Sequence, residues 1–318
     1  AMSGADNVAV GTNAGYTLTT GNSNVVIGRD AGKAMTTGDN NIAIGLNAAD
    51  GLVGDADQNI AIGRNALGGC TTAMSSSIAI GDGTLKHASY GSSGAIINLA
   101  LGQDAGTAIT TGSSNVLIGH NAGLTIATTN ANTAVGYHAL KLATSSENTA
   151  LGYLAATEIA SGGGNTALGS YALRNADGGE ADNTAIGTAA LFNLDDDTAD
   201  SNVAVGKHAG RWDAAGSSDG TTASPADGLV LATQCTYLGT ASRASHTGIG
   251  VGAIITNEIA IGYGTIGIGN NSVALGNTSI VNIDGQVAFG TYSDKRIKRD
   301  IANDDTGLAL IEKLQPVT

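Results

Sequence analysis

Few side chains in this sequence could do chemistry, and most of them point to ligation or recognition rather than to turnover. Asp195, Asp196, Asp197 and Asp200 form the densest acidic run, in DDDTADSN. Carboxylate oxygens at such short spacing suit Ca²⁺, so Asp195, Asp197 and Asp200 are the candidate metal ligands. The glycine-centred twelve-residue calcium loop is absent, and a solvated turn is the plainer reading. His120, His138 and His208 each fall one or two residues after a recurring glycine. Facing a three-fold axis, each could meet two copies of itself around a metal; with no His-x-His pair, a surface or inter-subunit hydrogen-bonding role is favoured. Tyr137, Tyr153 and Tyr171 follow the same glycine in three successive repeats. That placing suits stacking on sugar rings, or packing at a coil corner or subunit seam. Arg211 and Trp212 stand together in a long excursion, and loops on a rigid scaffold carry recognition. These five residues are the receptor-binding candidates.

Several function classes are disfavoured. A net charge of −13 argues against nucleic acid or an anionic membrane surface as partner. No apolar run approaches the roughly 20 residues of a membrane span, so membrane insertion is not expected. The opening Ala-Met-Ser-Gly lacks the features of a signal peptide. Cys70 and Cys235 lie far apart and read as free thiols. There is no Gly-x-Ser-x-Gly elbow, phosphate loop or His-Glu-x-x-His helix. An enzyme acting on an outside substrate is therefore not expected, and no cofactor beyond Ca²⁺ is implied.

The elements that would position these residues are announced by a repeat. It reads NVAVGTNA from Asn7, NVVIGRDA from Asn24, NIAIGLNA from Asn41 and NIAIGRNA from Asn59, and continues to NVAVGKHA from Asn202. One of the twelve copies, SIAIGDGT from Ser77, is degenerate, and the glycines recur about every 18 residues between Gly11 and Gly206. Each copy alternates with period two, the mark of a strand. Val8 and Val10 share one face; Asn7, Ala9 and Gly11 share the other. The larger face is expected to fill the core of a coil. The Ala face is expected to allow close approach at a trimer axis, and the Asn residues to form a ladder or bond turn backbone. The polar stretches between motifs predict a second short strand plus turns in each coil. Twelve coils would stack about 55–60 Å high.

The composition, with 48 Gly and only 8 Tyr, 2 Phe and 1 Trp, implies a core of small aliphatic side chains. Past residue 210 the spacing changes. Gly206 and Gly239 enclose an excursion with Trp212 and Pro225, after which the repeats compress and the chain turns basic around Lys295, Arg296, Lys298 and Arg299. Asp304 or Asp305 could cap a short helix bearing Leu308, Ile311 and Leu314 on one face.

The repeat resembles the left-handed parallel β-roll heads of trimeric autotransporter adhesins, with longer turns. The motif Ser293-Asp294-x-Arg296-x-Lys298, followed by LIEKLQPV, resembles the start of the endosialidase-type intramolecular chaperone that closes many phage tail fibres and tailspikes. NTSIVNIDGQVAFGTY upstream is similar to the triple-stranded neck before that module. The resemblance implies that the chaperone drives trimer assembly and then releases itself. Ser293 would be the nucleophile and Lys298 its base, cutting before Asp294. The chain stops at Thr318, so most of that module is expected to be missing.

The expected architecture is all-β: a parallel β-roll or β-helix solenoid forming a homotrimeric fibre, with a triple-stranded neck and a short C-terminal helix. It divides into repeats over 1–210, an insertion over 211–238, compressed repeats and neck over 239–292, and the chaperone start over 293–318. The expected function is a phage or prophage tail fibre. It would bind a bacterial surface receptor, most simply a glycan, and join other tail proteins in the virion. A bacterial trimeric surface adhesin and a capsule-degrading tailspike are the alternatives.

Overall fold

The computed structural model describes residues 3–70, 74–88, 97–194, 198–211, 231–244 and 254–283. Its main unit, 1–278, is a parallel β-solenoid. The first twelve strands are three residues long, one per repeat: β1 Val8–Val10, β2 Val25–Ile27, β3 Ile42–Ile44, β4 Ile60–Ile62, β5 Ile78–Ile80, β6 Leu99–Leu101, β7 Val116–Ile118, β8 Thr133–Val135, β9 Thr149–Leu151, β10 Thr166–Leu168, β11 Thr184–Ile186 and β12 Val203–Val205. Five more follow: β13 Leu231–Thr233, β14 Thr236–Leu238, β15 Ile254–Thr256, β16 Glu258–Ile261 and β17 Ser272–Leu275. Fifteen of them form one parallel sheet in chain order, and β13 pairs with β15 beside it. Strand β12 pairs directly with β14, Val203 opposite Thr236, so the excursion leaves and rejoins the sheet without breaking register. Residues 279–283, of the second unit, are exposed. No helix among the described residues is long and apolar enough to cross a membrane.

The coil bends at residues in left-handed backbone. In most turns these are the residue before the ladder Asn and the second residue after the strand glycine, as at Gln58 (φ 59) and Asn65 (φ 57). Asn and Asp fill many of these corners because their short polar side chains tolerate that region. The strand glycine itself sits at φ near +130, and a Cβ on Gly63 would collide with the Gly81 carbonyl one turn on. Among the described residues before 231 the expected second strand per coil is absent, and turns and bends fill that arc.

The sheet faces are the reverse of the sequence expectation. The middle strand residue points inward: Ala43, Ala61, Ala79, Ala100 and Ala134 are all fully buried. The flanking aliphatics point outward, and Val8, Val10 and Leu101 are 48%, 56% and 41% exposed. The coil is narrow, and the inward Ala shares it with a second Ala after the glycine and a larger residue seven after it, such as Leu52, Ile109 or Ile126. β-Branched residues on every strand would overfill that space. The Ala face is thus the core, not a seam.

The ladder Asn residues are inside too. Asn41 Nδ2 donates to Ala56 O at 2.6 Å and to Asn24 Oδ1 at 3.1 Å, and its own Oδ1 accepts from Asn59 N at 2.9 Å. The arrangement recurs along the solenoid, and near its end Cys235 and Glu258 take the Asn position. Buried polar groups are stable there because each is paired with the turn above or below.

Candidate functional site

The outer surface differs along the solenoid. From β1 to β7 both outward rows are Val, Ile or Leu. From β8 to β11 the first row becomes Thr133, Thr149, Thr166 and Thr184, held opposite one another by strand register. The corner just past these strands carries the aromatic residues. His120 and Tyr137 stack with centroids 5.3 Å apart at 10°, and Tyr137 stacks on Tyr153 at 5.4 Å and 14°. Tyr153 meets Tyr171 edge-on at 5.3 Å, and Tyr171 meets Phe192 at 6.2 Å. His138 lies over Tyr137 at 3.8 Å. The ring spacing follows the strand spacing of about 4.8 Å, because successive turns present the same corner.

Cations flank this file. The Arg174 guanidinium lies 5.5 Å from the Tyr171 centroid and 5.7 Å from that of Phe192, and Arg211 lies 5.0 Å from Phe192. Arg211 also donates toward His208 Nε2 at 3.3 Å. Each such cation–π contact contributes about 0.5–1 kcal/mol when exposed. His138 Nε2 accepts from Asn121 Nδ2 at 3.1 Å. Burial, then the Lys141 cation and His120, holds its ring below the usual imidazole range. Tyr137 and Tyr153 are 43% and 47% exposed, so ring edges reach solvent. Burial, followed by Tyr171, raises the Tyr153 phenol above its ordinary value.

The structure therefore brings Tyr137, Tyr153, Tyr171 and Arg211 into one file, with His120, His138 and His208 on the same corner. Sequence reading missed Phe192 and Arg174. Both stand five residues after a strand glycine, as do Lys141 and Arg211, and aligning that column would have found them. Trp212, Asp195 and Asp197 lie outside the described residues, as do Ser293, Asp294, Lys298, the expected helix and the neck beyond Ile283. Asp200 is described; its Oδ1 accepts from Ala181 N at 2.7 Å. No group of three or more metal-ligating side chains occurs among the described residues. Cys70 and Cys235 are buried free thiols, and burial pushes the Cys70 thiol up to about 12.

A second polar cluster went unread in the sequence. Glu258, wholly buried, accepts from Gly269 N at 2.7 Å and from the Tyr237 hydroxyl at 3.3 Å. Burial raises its carboxyl above the usual range. It stands near the end of the buried ladder, its N–H donating to Cys235 Sγ at 3.4 Å. No protein-family model, no curated protein and no solved structure matches this chain.

Proposed function

We propose that the chain is the shaft and receptor-binding part of a homotrimeric attachment fibre, of the kind a phage or prophage tail carries to a bacterial surface. The observation that carries this reading is the uncovered aliphatic ribbon on β1 to β7. Seven strands at about 4.8 Å make an uncharged strip about 30 Å long and two side chains wide. Monomeric proteins rarely leave a continuous apolar patch of that kind in water. Copies of the same chain, laid side by side, cover it with a surface of the same period and the same lack of charge. The seam thus moves from the Ala face expected from the sequence to the Val/Ile/Leu face. The remaining support is the sequence resemblance at Ser293 to Lys298, which would supply assembly by a self-releasing chaperone.

In a trimer each outward corner is presented three times, so weak contacts with a repetitive surface receptor gain by avidity. A bacterial surface adhesin would use the same geometry with a different anchor. Light scattering on the native chain tests the seam: the expected mass is three times the 31.2 kDa of one chain. A single-chain mass with an intact solenoid spectrum would overturn the fibre reading.

A further inference from the structure

The outward face of the main sheet is uncharged from end to end. Each of its fifteen strands sends two side chains outward. The later of the two is Val, Ile or Leu in every strand, from Val10 to Leu275. The earlier is Val, Ile or Leu in ten strands and Thr in five: Thr133, Thr149, Thr166, Thr184 and Thr236. No other residue type enters these two columns, in a chain with 27 Asp and Glu and 14 Lys and Arg. The later column stays bare past β7, since Leu151, Leu168, Val205, Ile261 and Leu275 are all exposed. Fifteen strands at about 4.8 Å, each about 10 Å long, make a face of about 700 Å². That is near the roughly 800 Å² per partner of a standard stable interface, and β1 to β7 alone would supply less than half of it. A second copy of this chain fits this face, because it presents the same spacing, the same columns and the same lack of charge.

The threonines interrupt this face at one level only. Thr133, Thr149, Thr166 and Thr184 stand in one line by strand register, and their hydroxyls bond to no described residue. Covered by an aliphatic side chain, such a hydroxyl loses water and gains no partner. Covered by its equivalent in another copy it has one, because a hydroxyl both donates and accepts. Three equivalent hydroxyls around a three-fold axis can each donate to the next and leave none over. The line also lies off the centre of the face. In an antiparallel pairing about that centre, Thr149, Thr166 and Thr184 fall opposite Val116, Leu99 and Ile78. In a parallel pairing slid by one strand, Thr184 falls opposite Val203 and Thr133 opposite Val116. Only the parallel, unshifted alignment leaves every threonine of the line with a hydroxyl across the seam.

We propose that Thr133, Thr149, Thr166 and Thr184 set the register in which this chain associates with itself. Copies pack along the whole outward face, pointing the same way, with each of these threonines against its equivalent. The aliphatic columns supply the area, and the Thr line rejects slid and reversed pairings that the aliphatic residues alone would tolerate. The proposal rests on the attachment-fibre reading for self-association itself, and adds the residues that fix its alignment.

Disulfide mapping of the full chain tests it. Ile44→Cys, Leu101→Cys and Leu238→Cys, made singly, each place a thiol on the later outward column, while the native Cys70 and Cys235 are buried. Under mild oxidation each variant alone is expected to link chain to chain at its own site. Co-expressed pairs report misalignment: Ile44→Cys with Leu101→Cys detects sliding, and Ile44→Cys with Leu238→Cys detects reversal. Same-site product should exceed mixed-site product at least about tenfold, since one orphaned hydroxyl already costs about that factor. Replacing the four threonines by Val together should keep the oligomer and remove that preference. Mixed-site product in excess without the Val changes, or an undiminished preference with them, overturns the register assignment while self-association stands. The first of these results decides the alignment even where the Val variant does not fold. A single-chain mass by light scattering overturns the attachment reading and this assignment together.

Discussion

The inverted core makes a prediction that no outward-facing reading could make. Leu117 takes the inward strand position that is Ala in most turns, and it is fully buried. Room for it comes from Gly106 and Gly123: a Cβ on either would stand 2.7 Å from a Leu117 methyl, and at Gly123 also 2.9 Å from Ile126 Cδ1. Leu117→Ala removes three buried carbons and leaves a void, a loss of about 2–5 kcal/mol. Gly123→Leu alone overpacks the coil by about 1–3 kcal/mol. Together they bring the Ala134 and Leu140 pairing of β8 to this turn, although Ile126 stands here where Ala143 accompanies Leu140. Leu140 holds φ 48 against 59 for Gly123, so the new Leu meets a backbone that leucine already adopts elsewhere in the coil. The double variant should recover part of the two losses, and what remains is the contact with Ile126 together with a left-handed cost of about 1–2 kcal/mol. Denaturant unfolding followed by circular dichroism measures all three variants. Losses that add to within about 0.5 kcal/mol would mean the two positions do not share one core volume, and the argument would fail.

Other predictions follow from the ladder, the ribbon and the C-terminal motif. Asn41→Ala leaves Ala56 O and Asn59 N without their side-chain partner, so a loss of about 2–6 kcal/mol is expected from two orphaned buried groups; a melting curve like the parent's would refute the ladder's role. Glu258 has a folded-state pKa above its unfolded value. Its favourable contribution is therefore complete below the unfolded pKa and is lost as pH rises through the folded one. Glu258→Gln should leave the melting temperature unchanged at pH 4 and raise it at pH 8, and a rise of equal size at both would contradict this. Ile44→Glu with Ile62→Glu puts charges on the outward ribbon. It should shift the mass in solution to one chain without altering the spectrum, and a retained trimer would exclude this seam. Ser293→Ala, in a chain carrying the complete chaperone module, should stay uncut when the parent releases its tail; equal release would dismiss the Ser293/Lys298 pair.

Much of this was legible in the sequence. Twelve copies at a near-constant interval specify a solenoid, period-two alternation specifies its strands, and the Asn before each strand signals a ladder. The tyrosines at one corner were legible as a column, because each follows its glycine directly or by one residue. Phe192 and Arg174 stand in a second column, five residues after the glycine, and their meeting with the tyrosines shows only when the coil closes. Glu258 was hidden because it replaces an Asn whose burial was not foreseen. Alternation divides a strand into two faces without saying which of them is inside, and hydrophobicity alone favoured the wrong one.

The missing information was volumetric, and the sequence does contain it. The inward strand residue and the residue six positions later fill the same cross-section. Ala61 is followed by Leu67, Ala79 by Leu85, Ala134 by Leu140, Ala167 by Leu173 and Ala185 by Leu191. Val26 and Leu117 are followed by Gly32 and Gly123. The other glycines of this column before β14, at 15, 106 and 210, belong to turns just before a large inward residue: Val26, Leu117 and Tyr237. Size thus trades between the two columns and across the turn boundary, as it must in a close-packed tube of fixed bore. The outward rows show no such compensation and change by zone instead, from paired aliphatics to Thr with aromatic corners. Two turns have Ala in both columns, Ala43 with Ala49 and Ala150 with Ala156, and there Leu52 and Ile159 supply the bulk; a coil whose interior volume is balanced within itself can vary its exterior without penalty to the fold. The turns begun by β8, β10 and β12 use that freedom to set His138, Tyr171 and His208 at left-handed corners where earlier turns set Asn or Asp.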